Sequence, residues 1–483
     1  LSPQIILFSF IAYSLLLFLI ARISSRKANN QSFFIGNKIS PWYVVAYGMI
    51  GASLSGVTFI SIPGVVGTTK FSYMLIVFGY LIGYFVIARL LLPIYYKLNL
   101  TSIYTYLLGR FGMKSYKTGA IFFLLSRIIG AAFRMFLVVN ILQYFVLDNY
   151  GIPFTYTVFA FVGLILLYTW QGGIKTIVWT DILQTTFMLS AVILSLFLIS
   201  NQLGKPFLEL YSKIKEANYT QMFFMDWRDK YFFLKQFLSG AFIAIVMTGL
   251  DQDMMQKNLS CKNLKEAKKN IYWMSWALVP VNFIFLTLGA FLAYYAQVQG
   301  IQIVGTSDHL FPEIALNHLG ILAGIVFIIG LIAAAYSSAD SALTALTTSF
   351  TLDILGFDRM NTWSEKKKVK LRKISHLGMA LILIFVILGY NLINDQAIIT
   401  KLFTIAGYTY GPLLGLFSFG IFLKRKVKDQ WVPLIALLSP LLSYFIQLYA
   451  PQFLNGYQFG FELLIINGLI TFSGLLLFSK SQN

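Results

Sequence analysis

Thirteen apolar stretches run through the chain, each at least about as long as the ~18 residues a helix needs to cross a ~30 Å hydrocarbon core. They cover 4–23, 40–66, 72–96, 118–147, 153–171, 176–201, 233–256, 270–297, 319–352, 374–393, 398–423, 431–449 and 458–478. In lipid the backbone must satisfy its own N–H and C=O groups, so each stretch reads as a helix. The chain reads as an all-α polytopic membrane protein of about thirteen transmembrane helices. A soluble globule is excluded, because 58% of the residues are hydrophobic and only 11% charged, where soluble domains carry about 25% charged residues.

The net charge of +19 would suit a nucleic-acid binder if the basic residues were gathered on one soluble domain. Instead they occupy every second loop. Arg22, Arg26, Lys27 and Lys38 follow the first stretch; Lys97, Arg110, Lys114 and Lys117 the third; Lys175 the fifth. Lys257, Lys262, Lys265, Lys268 and Lys269 end or follow the seventh; Lys366, Lys367, Lys368, Lys370, Arg372 and Lys373 follow the ninth; Lys424, Arg425, Lys426 and Lys428 follow the eleventh. Loops 148–152, 298–316 and 450–457 carry neither lysine nor arginine. The bias places the amino terminus outside and the carboxyl terminus in the cytoplasm of a bacterial inner membrane, with no role for nucleic acid. The first stretch is too long for a cleaved signal and is expected to remain. Outer loop 202–232 mixes Lys205, Lys213 and Lys215 with Glu209, Glu216 and Asp226 and is expected to form a short surface helix.

Several chemistries are missing from the sequence. It has no Gly-Lys-Ser/Thr phosphate loop, which argues against an ATP-driven pump. His309, His318 and His376 are expected at or near helix ends in structural or solvated roles, with no Cys/His cluster at metal-ligand spacing. Cys261, the single cysteine, reads as a passive thiol. No nucleophile and base are paired at membrane depth, so an enzyme is not expected.

Segment 48–64 spans a bilayer in length but is threaded with Gly48, Gly51, Gly56, Pro63 and hydroxyls. Glycine costs a helix about 1 kcal/mol relative to alanine and proline removes a donor, so the segment is expected to unwind near mid-membrane and offer carbonyl oxygens. Ionisable groups inside the spans are expensive, which singles out Arg127, Arg134, Asp181 and Asp340. On a helix Ser337, Asp340 and Ser341 share one face, as do Ser338 and Ser341, giving a row of hard oxygens suited to sodium or to close helix packing. Asp181 reads either as a second cation ligand or as half of a structural ion pair with Arg127. Two adjacent ionised carboxylates repel, so Asp181 and Asp340 together call for a cation or a proton.

Taken in order, these pieces resemble the sodium:solute symporter family. The likeness rests on Gly51-Ala-Ser-Leu-Ser-Gly-Val-Thr-Phe59 with Pro63-Gly64, Trp170-Gln-Gly-Gly-Ile174 with Trp179-Thr-Asp181, and Asp251-Gln-Asp-Met-Met-Gln-Lys257. It continues through Ala334 to Ser341 and Gly407-Tyr-Thr-Tyr-Gly-Pro412. It implies a LeuT-type fold: a leading helix with its loop (1–39), a five-helix repeat (40–201), the outer loop (202–232), an inverted second repeat (233–423) and two trailing helices (424–483). It also implies a main sodium site from the carbonyls of Gly51, Leu54 and Ala334 with the hydroxyls of Ser337 and Ser338. A second site, present in some members, would fall on Asp181, Ser337, Asp340 and Ser341, where serine stands in place of Asp340 in two-sodium members.

The first core helix is most similar to the sialic acid branch, which implies a solute pocket at Ser53, Ser55 and Thr58 covered by Tyr73. The carboxylate-binding arginine of that branch aligns with Gly130, leaving Arg127 and Arg134 a turn to either side as candidates for the clamp or for neutralising Asp181 or Asp340. Phe59, Tyr73, Tyr408 and Tyr410 are candidates to occlude the pocket. The implied function is sodium-coupled import of a small organic solute such as a carboxylated sugar by alternating access, in a monomeric transport unit, with one or two Na+ per cycle. A proton-coupled sugar or amino acid carrier, and a membrane sensor that has lost transport, stand as alternatives.

Overall fold

The computed structural model describes residues 3–25, 29–170, 172–357, 363–392 and 398–481; Arg26, Lys27 and Gln171, used above, lie outside the described residues. The long helices are α1 (Pro3–Ser24), α2 (Trp42–Thr69), α3 (Tyr73–Lys97), α4 (Met113–Phe145), α5 (Phe154–Thr169), α6 (Ile174–Gln202), α7 (Phe233–Gly249) and α8 (Gln252–Leu259). They continue with α9 (Leu264–Gln299), α10 (Gly320–Ile354), α11 (Glu365–Asn391), α12 (Ile398–Phe422), α13 (Val432–Phe453) and α14 (Leu463–Leu477). Among the described residues ten helices are long and apolar enough to cross a membrane, and α7 with α8 makes an eleventh span bent by 65°. Helices α5 and α14 are apolar but shorter.

The stretch at 233–256 therefore corrects the expectation of one straight helix. Asp251 stops it: its carboxylate caps α8 by accepting the N–H groups of Asp253 (2.8 Å) and Met254 (3.4 Å). The expected surface helix in the outer loop is present as Phe207–Glu216. One departure from all-α is a two-stranded antiparallel ribbon, β1 (Arg425–Val427) with β2 (Ser479–Ser481).

Helices pack here without a hydrophobic drive between them, so close backbone approach matters. Gly79 on α3 and Gly240 on α7 face each other's backbones: a Cβ on the first would lie 2.1 Å from the Phe237 carbonyl oxygen, and on the second 2.0 Å from that of Ile76. Helix α10 is buried without interruption from Gly330 to Ser349, although that run contains Asp340 and seven serines and threonines. A polar segment buried on all sides must find its partners inside the protein.

Of the lone side chains, His376 departs from its expected place and Cys261 is the passive thiol expected. His376 sits inside α11, buried, with its ring nitrogens on Thr169 Oγ1 of α5 (2.9 Å) and Thr347 Oγ1 of α10 (2.7 Å), so it joins three helices rather than capping one. Cys261 is fully buried between α8 and α9, where burial pushes its thiol up to about 12.

Candidate functional site

Helix α2 breaks at Ser55, which has φ 53° and ψ 174°. The expected unwinding occurs, but at a serine rather than at Gly48, Gly51 or Gly56. The residue interrupts the helical hydrogen-bond ladder, so Gly51 to Leu54 form the last turn before the break, where carbonyls lose their intrahelical partners. Tertiary contact holds α2 in place: a Cβ on Gly51 would lie 2.1 Å from Thr185 Oγ1 of α6, and one on Gly48 would lie 2.7 Å from the Asp181 Cβ. Conformations of this kind cost a non-glycine residue about 1–3 kcal/mol. Ser55→Gly is accordingly expected to raise the thermal midpoint of the purified protein by relieving about 1 kcal/mol, and an unchanged or lower midpoint would show the break to be unstrained.

Helix α10 lies against both α2 and α6. Ser338 Oγ donates to the carbonyls of Ala334 and Ala335 of its own helix, each at 3.2 Å, leaving oxygen lone pairs free to accept a cation. Ser337 Oγ donates across to Asp181 Oδ1 at 2.9 Å. The other Asp181 oxygen, Oδ2, receives Lys257 Nζ of α8 at 2.6 Å. Asp181 is thus ion-paired, but with Lys257 rather than Arg127. Asp340 Oδ2 accepts from Tyr168 OH at 2.7 Å and from Gln184 Nε2 at 3.5 Å, while its Oδ1 has no partner among the described residues. Ser341 Oγ turns to the Ser337 carbonyl (3.1 Å) and Asp253 Oδ2 (3.3 Å).

A second ionic cluster lies at the start of α8. Arg127 of α4 pairs with Asp253 and approaches Asp251 Oδ2 at 3.8 Å, and Tyr410 of α12 donates to the same Asp251 oxygen. Arg127 borders the cavity with its charge committed to the α8 aspartates, which departs from the expectation of a neutralising partner for Asp181 or Asp340.

A cavity bordered by Arg127 has a volume of about 80 Å³. Its wall includes Ser53, Ser55, Thr58, Tyr73, Arg127 and Arg134, so all six residues expected in the solute pocket border one space. Arg134 is buried, and among the described residues no carboxylate pairs with it. Tyr73, Ile399 and Phe403 line both this cavity and a wider one of about 260 Å³, so they form the partition between the two. Of the four aromatics expected to occlude the pocket, only Tyr73 borders it. Phe59 packs among Phe285, Phe311 and Phe327, Tyr408 bonds Gln447, and Tyr410 serves Asp251.

Sequence reasoning read Lys257 as one of the loop cations marking the cytoplasmic side, which its buried pairing with Asp181 corrects, and gave no site role to Tyr168, Gln184 or the α8 aspartates. A signal was present for α8: Gln252, Asp253, Gln256, Lys257 and Asn258 crowd a short segment between apolar runs, and each is at most 1% exposed. Every one of them is bonded, Gln252 to the backbone at Thr101 and Ile103, and Gln256 to Thr348.

The model of a family described as the sodium:solute symporter family matches residues 33–429. The sodium/sialic acid symporter NanT of Aliivibrio fischeri is 27% identical over 428 residues, covering 83% of this chain and 79% of NanT. The sodium/sialic acid symporter SiaT of Proteus mirabilis is 27% identical over 439 residues, 86% of each chain. A solved structure of a Na+-coupled sialic acid symporter, substrate-bound and outward-open, superposes with a TM-score of 0.84 over 98% of this chain and 97% of that one, at 22% identity. That likeness makes the architecture an all-α polytopic membrane fold related to the LeuT group. With the family match extending over most of the sequence, from the residues before α2 to those after α12, the chain belongs to the sodium:solute symporter family.

Proposed function

We propose that the organic solute this sodium-coupled importer carries is a small carboxylate, with sialic acid the first candidate. The observation that carries the reading is Arg134, a buried guanidinium on the cavity wall with no carboxylate of the described protein against it. Burying a charge without a partner is costly, and guanidinium matches carboxylate with two parallel hydrogen bonds, so the missing partner is supplied by the solute. The hydroxyls of Ser53, Ser55 and Thr58 on the same wall suit a polyhydroxylated molecule. Relatives over most of the chain length that carry sialic acid support the choice.

Sodium is assigned to the carbonyls of Gly51, Leu54 and Ala334 with the hydroxyls of Ser337 and Ser338. The break at Ser55 and the packing of α2 on α10 support it. Bound there, the ion would hold the broken helix in the form that lines the solute cavity, which couples the two bindings reciprocally.

Thirteen spans follow if α5 and α14 cross as well as the eleven counted above; at 16 and 15 residues they reach about 24 and 22 Å and need local thinning of the bilayer. The inverted repeats, 40–201 and 233–423, are supported by packings that recur in pairs: α3 on α7 matches α9 on α2, and α6 on α10 matches α12 on α4. Both repeats also open with a broken helix, α2 and α7 with α8. With the amino terminus outside, the wide cavity beside Lys230, Tyr231 and Ser307 faces the exterior, and Tyr73 with Phe403 closes the solute cavity from it.

The test is uptake of labelled N-acetylneuraminate into proteoliposomes under an inward sodium gradient, against potassium. Accumulation with sodium only is expected; uptake of neutral sugars but not of carboxylates would overturn the anion reading. Ser338→Ala removes one ligand while breaking only bonds within its own helix, so the sodium concentration for half-maximal uptake should rise about tenfold, equivalent to about 1.4 kcal/mol.

A further inference from the structure

We infer that Lys257 supplies, as part of the chain, the cation that balances Asp181, so that the protein binds one sodium where two-sodium relatives would bind a second. The inference rests on the sodium assignment between α2 and α10 made above. It starts from what has become of the four residues that the resemblance gives to a second ion.

Both oxygens of Asp181 are taken, Oδ2 by the Lys257 ammonium at 2.6 Å and Oδ1 by Ser337 at 2.9 Å. Ser341 faces Asp253, and Asp340 faces Tyr168 and Gln184. Asp181 and Ser337 thus hold each other, and Asp340 keeps its Oδ1 without a partner among the described residues. Lys257 and Asp181 each have side chains only 1% exposed, so neither charge is relieved by water, and each requires the other. An ammonium and a sodium ion carry the same charge, so a sodium ion seated on Asp181 would lie beside the ammonium and be repelled by it.

The position of Lys257 in the fold gives the pair a working role. It stands on α8, the inner half of the bent span, and reaches α6, while the same carboxylate holds Ser337 of α10. The pair therefore ties the broken helix to a hydroxyl assigned to the main sodium site. A sodium ion in that place would leave at each inward opening; the ammonium moves only as far as α8 allows.

The test uses sodium-22 binding to the purified full chain in potassium-balanced buffer at constant ionic strength, with the sodium dependence of the thermal midpoint measured alongside. Wild type is expected to bind one ion per chain with a Hill coefficient near one. Lys257→Met vacates the ammonium position, and a second ion per chain with a Hill coefficient rising toward two is expected. The paired variant Asp181→Asn/Lys257→Met is neutral at that position and should return to one ion, which keeps the question answerable if Lys257→Met alone does not fold. Two ions per wild-type chain, one of them lost in Asp181→Asn, would overturn the inference and leave the main site standing. An unchanged single ion in Lys257→Met would also overturn it. Absence of any sodium binding in wild type would instead overturn the sodium assignment itself.

Discussion

Arg127→Ala is expected to yield a protein that does not survive purification as a single species, with a thermal midpoint far below wild type. Arg127 is the cation of a buried cluster in which Asp253 pairs with it, Asp251 lies 3.8 Å away, and Tyr410 bonds Asp251. Its side chain is 5% exposed and those of the two aspartates at most 1%, so their removal from water is compensated by this arginine and not by solvent. Deleting one partner of such a pair typically costs about 3–5 kcal/mol, a large part of the ~5–15 kcal/mol by which folded proteins are stable. The damage would centre on the start of α8, because Asp251 is also its cap. Size-exclusion profile and midpoint in detergent are the readouts. Arg127→Leu with Asp253→Asn should recover much of the loss by removing both charges; a single Arg127→Ala variant that melts like wild type would show that its charge is not what holds the α8 aspartates.

Arg134→Ala, seven residues along the same helix, carries the opposite expectation. No ion pair is broken, and a buried charge that costs desolvation is removed, so the midpoint without solute should hold or rise. Binding should suffer. Hydrogen bonds to charged groups are worth about 1.5–3 kcal/mol, which predicts affinity for N-acetylneuraminate lower by about 10- to 150-fold. Arg134→Lys keeps the charge but loses the planar fork and should fall between. Calorimetric titration with the acid and with its uncharged methyl ester separates the causes: the variant should lose affinity for the acid and leave that for the ester nearly unchanged. Equal losses for both would make Arg134 a packing residue.

The different fates of these two arginines show where the sequence stops being readable. That α2 would line a cavity was legible, because glycines and hydroxyls at membrane depth are poorly suited to lipid. That it breaks at Ser55 was not, since the break depends on how Gly48 and Gly51 seat against Asp181 and Thr185 of α6. Arg127 and Asp181 were legible as buried charges but their partners were not: Asp181 finds Lys257 across 76 residues of chain, and Arg127 finds Asp251 and Asp253 on another broken helix. The bend before α8 was hidden for a related reason. Its apolar run continues through Met254 and Met255, and only the capping role of Asp251 divides it.

The Lys257–Asp181 pair has an electrical consequence. An ammonium fixed to the chain returns with the empty protein and is never delivered. If one sodium accompanies one carboxylate, each import cycle moves no net charge. Accumulation then draws on the sodium concentration ratio alone, about 1.4 kcal/mol for a tenfold ratio. A two-sodium relative carrying the same anion moves one positive charge inward and adds about 2.3 kcal/mol for every 100 mV across the membrane. For this protein, uptake driven by a given sodium ratio should therefore be the same with the membrane polarised or short-circuited, so a cell using it keeps its solute supply when its voltage collapses.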